Sequence, residues 1–436
     1  MRMGLHNTNN FDVNRQPSLR VTCGFIIYLI FFFTISVAWG QKALLLQDEV
    51  YEPQIRTVLC FSGQQGLPSS VTRMETQNLL LEFDDLKEER NNYYVKLIHC
   101  NYDWTKSTLM DLDVLHDYNE FPISDYSFSI NTHIPYVHYR IQVPPVKIPG
   151  NYVVIVYRDG NKSDIILSKR IMVFDLRMNL SQNDNLLGLG NLRTTNQALN
   201  FSLNYGQTEL LNPSGTVHVV IRQNQRWDIA KMDVRPSFLR EDVSQLEYRF
   251  YDMDHSFKAG NEFRFVDFRS LNNPGQNTDR LDRTHKPYQL SVALDVPRGS
   301  QAYAQYPDMN GSFVIDNFDY RQEPWISANY VYVNFTLRSQ QLKGDVYVAG
   351  AFNAWVHKQE NKMLYADGVY TARLLLKQGL YNYQYVVDPD DPTEGKYIDG
   401  SHFETENLYE VMVYYKPFQP NADLLIGYFL LPVNVR

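Results

Sequence analysis

The chain has 436 residues, with 41 Lys and Arg against 49 Asp and Glu, a net charge of −8. The first 40 residues hold Arg2, Arg15 and Arg20 against Asp12, so the remaining 396 carry about −10. That balance argues against nucleic acid as a partner, because phosphate neutralisation needs a basic surface; 44% apolar and 21% charged residues rule out disorder for most of the chain.

Residues Phe25 to Val37 (FIIYLIFFFTISV) are nearly continuous apolar sequence. Arg15 and Arg20 precede them, and Ala38-Trp39-Gly40 supplies small residues before Gln41. This is the three-part pattern of a cleaved secretion signal, expected over 1–40. The run is short for a span of about 20 residues. Cys23 lies before the apolar core, where a lipoprotein acceptor would follow it. The mature chain is expected to be exported and soluble, with no direct membrane insertion.

After the signal the pattern is that of strands. The 14% aromatic content favours them. Val95, Leu97 and His99 oppose Tyr94, Lys96 and Ile98 with a period of two. Tyr152 to Tyr157 (YVVIVY) is a continuous run between Pro149-Gly150 and Asp159-Gly160, as expected of a strand buried on both faces. Val217 to Ile221, Phe263 to Phe268 and Asp345 to Ala349 are further candidates. Val331, Val333, Phe335 and Leu337 alternate with Tyr332, Asn334 and Thr336. No long stretch sustains a helical period. The expected fold is all-β: tandem immunoglobulin-like or early-set β-sandwiches.

The expected organisation is an N-terminal sandwich over 41–177, a polar linker over 178–198, a middle sandwich over 199–324, a C-terminal module over 325–416 and a tail over 417–436. Residues 272–286 read as a long loop inside the middle unit. The apolar part of the tail, Leu424 to Leu431, is expected to dock as a strand or pack on the last domain. Cys60 and Cys100 lie in apolar, strand-like surroundings and read as two buried thiols, with a disulfide as the alternative.

No motif for catalysis is present: no G-x-S-x-G, no Cys-His signature and no phosphate-binding loop. No enzyme activity, cofactor or small-molecule substrate is expected. His133 and His138 would face opposite sides of a strand, as would His99 and Cys100, so neither pair reads as a metal site. Asp84-Asp85 and Glu88-Glu89 read as a solvated turn. Asp388, Asp390, Asp391 and Glu394 could offer oxygen ligands to a cation, but two prolines and the spacing favour a rigid polar loop. Asp308-Met309-Asn310-Gly311 reads as a turn.

Two resemblances become visible at specific residues. Gly350-Ala351-Phe352-Asn353-Ala354-Trp355 is followed by Gly379, Tyr381, Tyr383, Tyr385 and Asp388. This resembles the early-set immunoglobulin-like modules related to glycogen-binding domains. In that pattern Gly350 would permit the tight backbone after a strand, and Trp355 would cover the sandwich end. The basic and late aromatic positions of the sugar-binding members align with Gln384 and Asp391, so exported glycan binding is the alternative reading only.

The upstream sequence carries the second resemblance. Tyr94 to Trp104 (YVKLIHCNYDW) is followed by Ile123 to Ser129, Asn131-Thr132 and Tyr136-Val137-His138-Tyr139. Pro149-Gly150-Asn151-Tyr152, Arg170-Ile171-Met172-Val173 and Ala259-Gly260-Asn261-Glu262-Phe263-Arg264 come later. This order resembles the plug proteins of the type IX secretion system of Bacteroidota. The resemblance implies a periplasmic, non-enzymatic protein whose partner is a large outer-membrane translocon β-barrel. It implies that the plug closes the periplasmic opening of that barrel when no cargo-carrying partner is docked, which maintains the outer-membrane permeability barrier during protein transport. It also implies structural roles for His99, Trp104, Tyr136, Tyr139, Gly260, Asn261, Gly350, Phe352, Asn353, Trp355, Gly379, Tyr383 and Asp388.

Overall fold

The computed structural model describes residues 42–63, 66–182, 194–206, 208–250, 253–320, 323–390 and 392–435. The expected signal over 1–40, residues 183–193 of the expected linker and Asp391 lie outside the described residues. Strands make up 44% of the structure and helix 6%, so the fold is all-β, as expected.

Four sheets stack on one another between residues 49 and 433. The first layer holds Ile55–Ser62, Leu79–Asp85, Val137–Gln142 and Asp125–Phe128, in that order across the sheet. The second holds Glu49–Val50, Ile165–Phe174, Gly150–Arg158, Tyr93–Cys100 and Phe121–Pro122, with Val71–Arg73 parallel to Ile165–Phe174. Together they enclose a core of Phe83, Val95, Leu97, Tyr139, Tyr152, Val154 and Val156.

The third layer runs Lys231–Val234, Val217–Gln223, Asn407–Tyr415 and Leu424–Val433. The fourth runs Asn179–Gln182, Phe201–Asn204, Gln245–Tyr248 and Phe238–Arg240. Val219, Ile221, Val411, Val413, Leu203 and Leu246 pack between them.

The run YVVIVY explains why the second and third layers meet. Tyr152, Val154 and Val156 face the first layer, while Val153 and Ile155 face the third, against Val220, Met412, Tyr414 and Leu425. A strand with no polar face can only sit between two sheets. Each such aliphatic side chain contributes about 1.5–3 kcal/mol on burial. The tail docks as a strand, with Leu424–Val433 antiparallel to Asn407–Tyr415.

A further sandwich holds two more sheets. One is Thr278–Asp282, Gln289–Val292, Tyr330–Arg338, Val369–Lys377 and Leu364–Ala366. In the other, the strand Gly379–Asp388 pairs with Arg264–Asp267, Phe313–Ile315 and Asp345–Ala349. Val331, Val333, Phe335 and Leu337 are all fully buried in its core, the face their alternation predicts.

Strand pairing departs from the expected boundaries in two places. Asn407–Tyr415 and the tail strand complete the middle sandwich, whereas the strands between Arg264 and Ile315 belong to the last one. Both exchanges rest on partners distant in sequence, which a local period cannot reveal. Residues 272–286 are also not all loop. Thr278–Asp282 is a half-exposed edge strand, and its polar composition is that of an edge. Asp308 to Gly311 is a turn, with positive φ at Asn310 and Gly311.

His99 and Gly150 show how tightly the second layer is packed. His99 is buried, its ring stands edge-on to Tyr152 at 5.0 Å, and neither ring nitrogen has a partner among the described residues. Burial pushes its pKa down to about 4, so the ring is neutral at pH 7. A Cβ on Gly150 would lie 2.3 Å from the His99 Nε2. Gly150→Ala is therefore expected to cost about 1–3 kcal/mol by overpacking. Chemical denaturation should show that His99→Ala, added to Gly150→Ala, is less costly than the two single changes summed.

Candidate functional site

The three sandwiches are joined by buried polar groups and by a cavity. The first joint lies between the first layer and the last sandwich. Asp84 is next to last in a strand of the first layer and Lys377 ends a strand of the last sandwich. The Lys377 Nζ lies 2.7 Å from the Asp84 Oδ2, and both side chains are 1% exposed. Tyr330 donates to the same oxygen at 2.6 Å, and His138 Nδ1 lies 2.8 Å from the other. Lys377 also donates to the Trp325 carbonyl at 2.5 Å and sits 4.2 Å above the Tyr136 ring.

Burial alone would raise the Asp84 carboxyl, but the Lys377 ammonium and His138 outweigh it and hold it below the usual value. The expectation of a solvated turn at Asp84-Asp85 is thus corrected. Both residues are fully buried, and Asp85 accepts hydrogen bonds from Tyr93 and Asn91 at 2.7 Å each. Glu88 and Glu89 are exposed. Nothing near Asp84 in sequence announces a partner 293 residues away.

The second joint lies between the second and third layers. Arg222 and Glu410 are paired in register on neighbouring strands, with Nη2 to Oε1 at 2.8 Å, and are 3% and 1% exposed. Tyr428 donates to Glu410 at 2.5 Å. Tyr414 donates to the Asn151 Oδ1 at 2.9 Å, crossing the two layers. Beside them Trp104 and Trp227 meet edge-to-face at 5.0 Å, and the Arg170 guanidinium lies 4.5 Å above Trp104.

A third polar group ties the loop after Gly260 to the last sandwich. Arg264 reaches Asp295 at 2.7 Å and Asp399 at 3.1 Å, and Tyr383 and Tyr385 donate to the other Asp295 oxygen. Asp308 accepts from the Phe263 and Asn310 backbone and lies against Glu262. Burial, aided by the Glu262 charge, raises its pKa from the ordinary 3.8 to about 6.

The residues singled out from the sequence are mostly internal. Tyr136 donates to the carbonyls of Trp325 and Ala328 at 3.1 and 3.0 Å. Tyr139 stacks on Phe83 at 5.2 Å and donates to the Asn91 carbonyl. Gly260 has φ +69, and Asn261 donates to the Asp399 carbonyl at 2.8 Å. Asn353 accepts from the Gly350 N–H and donates to the Val348 carbonyl. Gly350 is extended, so its need is space: a Cβ there would lie 2.5 Å from Phe352 and 2.8 Å from the Asn382 carbonyl. Phe352 packs edge-on to Tyr381, next to Gly379 at the strand start. Trp355 packs on Phe263 and takes the Arg226 guanidinium at 4.1 Å, so it faces the middle sandwich.

Asp388 is exposed and meets His357 at 2.9 Å. Asp390 pairs with Lys258 at 2.8 Å, and Glu394 accepts from the Lys343 N–H. These carboxylates are drawn to separate partners, and no group of three or more metal-ligating side chains occurs among the described residues. Cys60 and Cys100 are free, buried thiols on different sheets, each pushed up to about 12 by burial. No described helix is long and apolar enough to cross a membrane.

Residues 55–175, the first two layers, match the family model of the type 9 secretion system plug protein 1st domain. The resemblance to the type IX secretion plug proteins is borne out. The match supports a plug role in type IX secretion in general, association with a component of that system, and a periplasmic or envelope location. A hypothetical protein from Parabacteroides merdae, solved by crystallography, is similar over 90% of this chain and 100% of its own, with 27% identity and a TM-score of 0.83. No curated protein matches.

The buried pairs that sequence reasoning missed are Asp84–Lys377, between two sandwiches, and Arg222–Glu410, within the third layer. The one signal was register: Arg222 shares a face with Val220, and Glu410 shares one with Met412 and Tyr414. Removing one partner of a buried pair leaves an unpaired charge, at about 3–5 kcal/mol. Lys377→Met should lower stability by that order in urea denaturation, and Asp84→Asn added to it should recover part of the loss. The Asp308 shift predicts a pH effect. A raised native pKa means that stability is greatest below 3.8 and is lost as pH rises through about 6. Melting temperatures between pH 4 and 8 should show that fall in the unaltered protein and a flatter profile in Asp308→Asn.

Proposed function

We propose that the protein is a periplasmic plug that reversibly closes the periplasmic opening of a large outer-membrane translocon barrel. The plug seats when no cargo-carrying partner is docked and makes or breaks no covalent bond. The plug-domain match at residues 55–175 carries the reading. Three further features support it.

First, the body is cross-braced. The buried Asp84–Lys377 pair joins two sandwiches that could otherwise hinge, and an obstruction that flexed would leak. Second, the charged and aromatic residues of the motifs are spent on internal packing, and none of them forms a catalytic arrangement. Third, adjacent loops at one end expose apolar side chains. Met110, Leu112 and Tyr118 are 74–76% exposed, Phe418 is 87% exposed, and Thr108 donates to the Asn421 carbonyl between the two loops. Such loop tips offer a modest, reversible contact, unlike the large apolar face of a permanent complex.

Deletion of the gene in a strain with an intact translocon tests the reading. The outer membrane should become permeable to large antibiotics that it normally excludes. Unchanged sensitivity would count against closure as the function, and the plug should also co-purify with a large barrel from gently solubilised envelopes.

A further inference from the structure

A cavity of about 520 Å³ lies where the three sandwiches meet, within the usual size range of small-molecule sites, roughly 300–1,000 Å³. Its walls include Trp104 and Arg170 from the second layer, Trp227 from the third, and Asn310 and Trp355 from the last sandwich. The charges around it are paired with one exception. Lys169 pairs with Asp48 at 2.5 Å, Arg226 with Asp228 at 2.5 Å, and Arg222 with Glu410. Arg170 has no carboxylate within ion-pair distance among the described residues. Its Nε donates to the Leu46 carbonyl at 3.0 Å, and its guanidinium is held between the rings of Trp104 and Trp227, at 4.5 and 5.4 Å.

Trp104 is 4% exposed and its buried indole N–H has no acceptor among the described residues. Trp104 also holds φ +64, a costly conformation for a bulky residue. A buried donor left unmade costs about 1–3 kcal/mol. The Trp104 N–H is closed off from the cavity, so the Arg170 guanidinium is the group that can receive an anionic oxygen pair, and the neighbouring indole faces suit a flat or apolar body.

We propose that this cavity binds a small carboxylate carried on an aromatic or apolar group. The carboxylate sits on Arg170, and the body lies against Trp227 and Trp355. A ligand placed there touches all three sandwiches and braces them, which goes beyond the plug reading and does not depend on it. A free small acid and the terminal carboxylate of a peptide share this chemistry.

Three of the five tryptophans line the cavity, so intrinsic fluorescence reports on it. The purified protein is titrated with phenylacetate and with phenylacetamide, and with Gly-Phe carrying a free or an amidated C-terminus. Saturable quenching and a rise in melting temperature are expected with the acids, and at least about tenfold weaker binding with the amides. Tighter binding of Gly-Phe than of phenylacetate would identify a peptide end as the source, and the reverse a free acid. Arg170→Gln should abolish the preference for acid over amide. No saturable response to either acid, or equal binding of acid and amide, overturns the proposal. The acid-to-amide comparison on the unaltered protein decides the matter even where the variant fails to fold.

Discussion

Strand Gly150–Arg158 has no solvent face, and the layered architecture depends on that constraint. Its alternate residues are buried in two different cores. A sandwich of two sheets can cover only one of its faces. The third layer must therefore exist, and it must be apolar on both sides as well. Val217–Gln223 and Asn407–Tyr415 meet that demand, with Val219, Val411 and Val413 on one side and Val220, Met412 and Tyr414 on the other. The chain thus has to return from the last sandwich to complete the middle one.

Apolar layers of this kind hold together without specifying one registration, since the hydrophobic effect is non-directional. The buried polar groups supply direction. Asp84 is approached by Lys377, Tyr330 and His138 from two sandwiches, and a displacement of an ångström or two would leave a charge unpaired in the interior. Such pairs contribute little net stability over apolar substitutes, but breaking one is costly. Their consequence here is specificity: Asp84 finds Lys377, Tyr330 and His138 together in one relative placement of the two sandwiches.

Local structure was largely legible from the sequence. The alternation at Val331 to Leu337 and the run from Tyr152 to Tyr157 gave both the strands and the faces they bury, because a period of two is a local property. The assignment of strands to sandwiches was not legible. Asn407–Tyr415 is adjacent in sequence to the last sandwich and pairs with Val217–Gln223, and no local pattern encodes that choice. Polar residues misled most where the partner was remote. Asp84-Asp85 has the composition of a turn, and bonds to Lys377 and Tyr330 at Asp84 and to Tyr93 and Asn91 at Asp85 make the pair part of the interior. Thr278–Asp282 has the composition of a loop, and only its edge position makes it a strand.

The motif residues that carry the family resemblance turn inward almost without exception. Trp104 and Trp355 face the junction, Tyr136 reaches the Trp325 and Ala328 carbonyls, Tyr139 packs inside the first sandwich on Phe83, and Tyr383 braces the Arg264 network. Of these, Tyr136, Trp104 and Trp355 reach from one sandwich to another, whereas Tyr139 and Tyr383 pack within their own. Contacts with a partner must come from other residues, on loops whose sequence the fold leaves free. The motifs read from this chain therefore point to its internal packing and are silent about any surface a partner would meet.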